Sequence, residues 1–227
     1  MNAHRPRSAV QAWHRCLAAL ACISALRLAV ATLAVLLLAG PGGPRPAAAQ
    51  DMASAEAAWA ALRAGGSVVL LRHAQTVPGI GDPPGFRLED CATQRNLSDE
   101  GREQARHIGK ALQAAGVAVG EVLSSRWCRC LDTATEAFGR VTPWPAADSF
   151  FDQRAARSGD DPSARQTAEL RSRVAAYRGK DTLVVVTHQV NITAITGIVP
   201  AMGELVVLKP DRRSAGGFNV AGRLPVP

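Results

Sequence analysis

Three observations predict an α/β sandwich around a mostly parallel sheet. Residues 67–71 and 182–186 are short, continuous runs of β-branched and aliphatic side chains bounded by Gly or Asp, as in strands buried on both faces. Segments of this kind alternate along the chain with stretches of helical periodicity, which is the pattern of strands joined by helices. Both apolar runs end at a histidine, His73 and His188, where a parallel sheet gathers ligands beyond the carboxyl ends of its strands.

The elements follow in order. Residues 53–63 are Ala-rich, carry Trp59 and Leu62 and stop at Gly65-Gly66, which predicts a short helix before the first strand. Residues 75–96 hold Gly79, Gly81, Pro83, Pro84 and Gly85 and form a loop long enough to rim a site. Ser98 caps a helix whose first turn holds Asp99, Glu100 and Glu103 and whose apolar face repeats Ala105, Ile108, Leu112 and Ala115. A second strand spans 117–123, a helix 127–138 ends at Gly139, and 148–162 is polar and irregular. Then come a helix over 163–178, a third strand over 183–186, a buried helix over 190–199 and edge strands over 205–208 and 218–220. No internal repeat is present.

The first 49 residues form a separate unit. Arg5, Arg7, Arg15, Arg27 and Arg45 stand there with no acidic residue, an apolar stretch runs over 28–39, and Ala47-Ala48-Ala49 follows a Gly/Pro-rich segment. This is the pattern of a secretory signal cleaved after Ala49, giving a periplasmic or secreted protein. Arg27 interrupts the only candidate span, which falls short of the roughly 20 apolar residues a membrane helix needs, so no stable span is expected in the mature chain. Of 26 basic residues five precede Gln50, whereas all 19 acidic ones follow Ala49, so residues 50–227 carry only +2. With neither a basic run nor aromatic interleaving, no nucleic-acid partner is expected. Residues 50–227 suit a single domain.

Cys91, Cys128 and Cys130 remain after the leader is removed. In an oxidising compartment three cysteines allow one disulfide and one thiol. Cys128 and Cys130 lie two apart on a predicted helix, where side chains diverge, so Cys91 pairs with one of them. A metal site is not expected, because no His-Glu-x-x-His helix exists and the two histidines have no third ligand; no cofactor is implied.

Arg72 beside the first histidine and Arg126 after the second strand supply fixed positive charge suited to a phosphoryl group. His107, among Arg102, Arg106 and Lys110, belongs to a solvated helix face. Four blocks occur in sequence: Leu71-Arg72-His73-Ala74; Asn96-Leu97-Ser98 through Gly101 to Gln104-Ala105; Ser124-Ser125-Arg126 through Arg129 to Thr133-Ala134; and Thr187-His188. In kind and order they resemble the histidine phosphatase superfamily, whose fold is phosphoglycerate-mutase-like. The resemblance implies a three-layer α/β/α sandwich, His73 as the nucleophile that becomes phosphohistidine, and Arg72, Arg126 and His188 around the phosphoryl group. A neutral imidazole is a good nucleophile near pH 7, and guanidinium forks stabilise the charge that spreads over phosphoryl oxygens.

The chain departs from the family pattern at three places. Ala74 replaces the usual Gly, Gly79 stands where some members have Asn, and Gln189 after His188 argues against the branch that carries His-Asp. The general acid of the mutase-like branch follows the second arginine block by some two dozen residues, which points to Asp148 or Asp152, with Asp148 ahead and Glu89 and Asp90 in reserve. Ser98 is read as a helix cap. Arg95, before the asparagine block, is a further candidate contact to phosphate or substrate. The expected activity is that of an exported, metal-independent phosphomonoester phosphatase acting on a small phosphoester, a phosphorylated sugar being the example its location suggests. The alternatives are a phosphomutase and a non-catalytic binder of a phosphorylated envelope ligand.

Overall fold

The computed structural model describes residues 47–151 and 162–225. Residues 1–46 of the export signal expected over 1–49, and Asp152, lie outside the described residues. Contacts group Gln50–Pro227 as one compact unit. Among the described residues no helix is long and apolar enough to cross a membrane.

Six strands form one sheet among the described residues: β1 (Val68–Arg72), β2 (Val119–Ser124), β3 (Thr142–Pro143), β4 (Thr182–Thr187), β5 (Leu205–Pro210) and β6 (Phe218–Leu224). Their order is β3-β2-β4-β1-β5-β6, with β3, β2, β4 and β1 parallel and β5 and β6 antiparallel additions at one side. Alternation in β1 divides the core. Val69 and Leu71 pack with Leu62, Ile108, Leu112 and Ala134 from helices α1 (Ala47–Arg63), α2 (Asp99–Ala114) and α3 (Cys128–Phe138). Val68 and Leu70 pack with Leu170, Val174, Ile192 and Ile195 from α4 (Pro162–Ala176) and α5 (Gln189–Thr196) on the opposite face. The protein is therefore a three-layer α/β/α sandwich, and its central strands read as unbroken apolar runs because both faces are covered.

The expected elements are present with shifted ends. The second strand starts at Val119 rather than 117, because the Val117 amide donates to Leu112 O and closes α2. β3, with two residues and a proline, carries too little periodicity to be read from sequence; it is held by pairing with Leu123 and Ser124. Gly101 in α2 is required by space. A Cβ there would lie 1.8 Å from the carbonyl oxygen of Gln75, in the loop that follows His73.

Cys91 and Cys128 form the disulfide, with Cα atoms 5.7 Å apart, and Cys130 is a buried thiol. The bridge ties the loop after β1 to the first turn of α3. Replacing both residues with serine should lower unfolding stability by about 2–4 kcal/mol, the range for a loop of this length. Urea titration checks this, and an unchanged midpoint would contradict it.

Candidate active site

The register of the sheet brings the two histidines together. Arg72 pairs with Thr187 across neighbouring parallel strands, so His73 and His188 leave the sheet at the same level, and the His73 amide donates to Thr187 O at 3.0 Å. Their rings lie 5.5 Å apart, centroid to centroid, in a T-shaped arrangement. β2 lies on the other side of β4, and Ser125 follows it, its amide donating to Val186 O. Three adjacent strands thus end at one edge, above which lies a cavity of about 270 Å³ lined by Arg72, His73, Asp82, Arg95, Arg129 and His188, among others.

His73 is held neutral with one ring nitrogen free. Its Nδ1 is 2.9 Å from Ala74 O. A carbonyl oxygen only accepts, so Nδ1 carries the proton and Nε2 keeps the lone pair. Burial, then the nearby Arg129 charge, lowers its pKa from 6.5 to about 3, so the ring is neutral at any physiological pH. His188 is likewise held well below its ordinary value, first by burial and then by Arg129 and His73. Its Nε2 lies 2.8 Å from Ser125 Oγ and its ring 5.5 Å from that of Trp127.

Three guanidinium groups converge on this pair. Arg72 is anchored by Nη1 donating to Pro200 O at 2.8 Å, Arg95 by Nη1 donating to Gly79 O at 2.6 Å, and Arg129 by Nη1 donating to Asp82 Oδ1 at 2.7 Å. The Nε atoms of all three are buried with no hydrogen-bond partner. Buried donors left unpaired are costly, so a cluster of them around one cavity marks the place of an acceptor ligand. Burial and mutual repulsion lower Arg72 and Arg95 below the ordinary guanidinium value. Asp82 compensates one charge. Burial pushes its carboxyl up, but hydrogen bonds from Arg129, the Arg95 amide and Trp127 Nε1 outweigh burial and hold it below its ordinary value. Three guanidinium groups against one carboxylate leave two positive charges, which match a phosphate dianion.

Two sequence expectations need correction. Arg126 does not line the cavity: it sits before α3, half exposed, and its Nε and Nη2 donate to Asp148 Oδ2 at 2.8 and 2.5 Å. The arginine of this block that lines the cavity is Arg129, one turn further on. Asp148 is not placed as a proton donor. Its Oδ1 accepts from the Arg126 amide at 2.8 Å and from Ser125 Oγ at 3.3 Å, so both of its oxygens are turned to Arg126 and Ser125 rather than to the cavity. Through Ser125 it holds the side chain on which His188 rests. The reserve residues also lie elsewhere: Glu89 is exposed, and Asp90 caps the turn Cys91–Thr93 and pairs with Arg87. Arg95 is in the cavity, as the sequence suggested.

The loop after β1 and the blocks around it fix this geometry. Ser98 Oγ accepts from the Gly101 amide, which confirms its capping role, and Gln104 Oε1 accepts from the Gln75 amide. Thr133 Oγ1 accepts from the Ala74 amide at 3.0 Å and donates to Arg129 O at 2.6 Å, joining the nucleophile's turn to the arginine's helix. Asp82 and Trp127 were not singled out by sequence reasoning, and Arg129, though named in the third block, was given no role there. The signal for Arg129 was its i,i+4 spacing to Thr133 on the face that carries Cys130 and Ala134, all of them buried. Among the described residues no group of three or more His, Cys, Asp or Glu is placed to hold a metal ion.

The two neutral histidines have a stability consequence. Below about pH 6.5 the unfolded chain takes up protons that the folded chain refuses, so this contribution is fully present above that pH and is lost as the pH falls toward the folded value of about 3 for His73. Unfolding free energy should fall by up to ~1.4 kcal/mol per pH unit for each histidine across that window. His73→Gln should flatten the slope in urea titrations at pH 4 to 7, whereas an identical slope would contradict the assignment.

The model of the histidine phosphatase superfamily (branch 1) matches residues 68–146, which include Arg72, His73, Asp82, Arg95 and Arg129. No curated protein sequence matches the chain. Among solved structures it is similar to TTHB049 from Thermus thermophilus (17% identity, 70% of this chain and 99% of that chain covered, TM-score 0.49). It is also similar to the protein histidine phosphatase SixA complexed with tungstate (15% identity, 70% and 96%, TM-score 0.47) and to a mycobacterial glucosyl-3-phosphoglycerate phosphatase (19% identity, 68% and 96%, TM-score 0.47). The likeness to the histidine phosphatase superfamily (branch 1) is thus carried by residues 68–146, the segment that its model matches.

Proposed function

We propose that this protein is an exported, metal-independent phosphomonoester phosphatase that works through a phosphohistidine at His73. The observation that carries the reading is the convergence of Arg72, Arg95 and Arg129, each with a buried, unpartnered Nε, on a neutral His73 whose Nε2 holds the lone pair. In the first step Nε2 attacks phosphorus, the bond to the ester oxygen breaks and the leaving oxygen takes a proton from solvent. Water then attacks the phosphohistidine, the phosphorus–nitrogen bond breaks, and inorganic phosphate is released with one proton of that water while the other returns to solvent. Each half-reaction spreads negative charge over oxygens that the three guanidinium groups are preorganised to meet. The disulfide between Cys91 and Cys128 supports the oxidising compartment that the basic, apolar leader addresses.

The test is turnover of 4-nitrophenyl phosphate by residues 50–227 before and after exhaustive chelation, with equal rates expected. Activity lost and restored only by a divalent cation would move the site to the metal-assisted class. No turnover combined with tight binding of phosphate would favour the binder.

A further inference from the structure

The phosphate cradle opens onto an apolar mouth. Ile80, on the loop after β1, lines the cavity and is 92% exposed, and Phe151, after the turn that carries Asp148, lines it and is 49% exposed. Large apolar residues so exposed cost free energy unless something covers them, and grouped at a cavity they mark a binding surface. Val190 and Met202 line the same cavity. Beyond the guanidinium groups and histidines that face the phosphate, Asp82 accepts from three donors and Ser149 Oγ accepts from the Phe151 amide, which leaves Gln189 as the further polar side chain among the described lining residues. A polyol would find little to replace its water, whereas a hydrocarbon chain would cover Ile80 and Phe151 and exclude water from the guanidinium groups.

We propose that the alcohol part of the substrate is apolar, an alkyl or aryl phosphate rather than a sugar phosphate, and that Ile80 and Phe151 are the residues that select it. This rests on the phosphatase reading above and narrows it. The phosphate end lies on Arg72, Arg95 and Arg129, and the ester oxygen directs the hydrocarbon outward between the loop that carries Ile80 and Phe151. A methylene fully buried on binding raises affinity about fourfold, and one lying on an open rim about half that free energy, roughly twofold.

The experiment measures kcat/KM of residues 50–227 for ethyl, butyl and hexyl phosphate and for glycerol phosphate. A rise of roughly 16-fold from ethyl to hexyl is expected, with glycerol phosphate below butyl phosphate. Ile80→Ser combined with Phe151→Ser should reduce the hexyl-to-ethyl ratio to within about twofold of unity. That ratio is internal to each protein and so is insensitive to a change in the amount of active enzyme. A wild-type ratio near one, or glycerol phosphate preferred to butyl phosphate, overturns the proposal while leaving the phosphatase reading standing. If no ester is turned over, the phosphatase reading fails, and binding of ethyl- and hexylphosphonate by calorimetry decides the apolar mouth: tighter hexylphosphonate binding that the double variant abolishes supports it, and equal binding overturns it.

Discussion

Arg129→Ala should cut kcat/KM by about 10³- to 10⁴-fold, whereas Arg126→Ala should cost no more than about tenfold. The two arginines lie three residues apart, and the sequence alone favoured Arg126, so the comparison separates the geometry from the pattern. Arg129 is 5% exposed in its side chain, lines the cavity and contributes to the neutrality of both histidines. Removing it deletes a preorganised donor to the phosphoryl oxygens, a change that costs 10²- to 10³-fold at comparable sites. It also leaves Asp82 facing the phosphate with its principal counter-charge gone, and that repulsion adds to the loss. Arg126 pairs with Asp148, and its effect reaches the site indirectly, through Ser125 and His188. Steady-state kinetics on 4-nitrophenyl phosphate rank the two variants, and an equal or reversed ranking would contradict the placement.

The fold was legible because its central strands are buried on both faces. Residues 67–72 and 182–187 announce themselves by composition, and their termination at histidine marks the edge of the sheet where the site lies. The ends of elements were less legible: the first helix starts at Ala47, six residues earlier than its apolar pattern suggests, and β3 has no periodicity at all. In the site, His73, His188, Arg72 and Arg95 were readable from strand ends and blocks. Arg129 stood in the same block as Arg126 but was passed over for it, because the direction of a side chain in the turn before a helix depends on where the helix begins. Trp127 is the cap of α3, which leaves Arg126 outside and turns Arg129 inward. Asp148 was chosen by its distance along the chain, and that distance says nothing about which group its carboxylate faces. Asp82 lies in a Gly/Pro-rich loop whose path is set by contacts to Arg129, Trp127 and the Arg95 amide, all distant in sequence or outside any regular element.

His73→Ala should reduce turnover to background, since it removes the neutral ring whose Nε2 lone pair is free at the end of β1. Asp82 is held ionised among its donors, and His188 Nε2 is engaged with Ser125. Covalent catalysis divides one displacement into two, and both require the same nitrogen. The most direct measurement is therefore rapid quenching of the turning-over enzyme in alkali, followed by mass spectrometry of the peptide that contains His73. The account predicts one phosphoryl group on His73, stable in alkali, released in acid and absent from His73→Ala. A phosphoryl group on any other residue, or full turnover by His73→Ala, would contradict it.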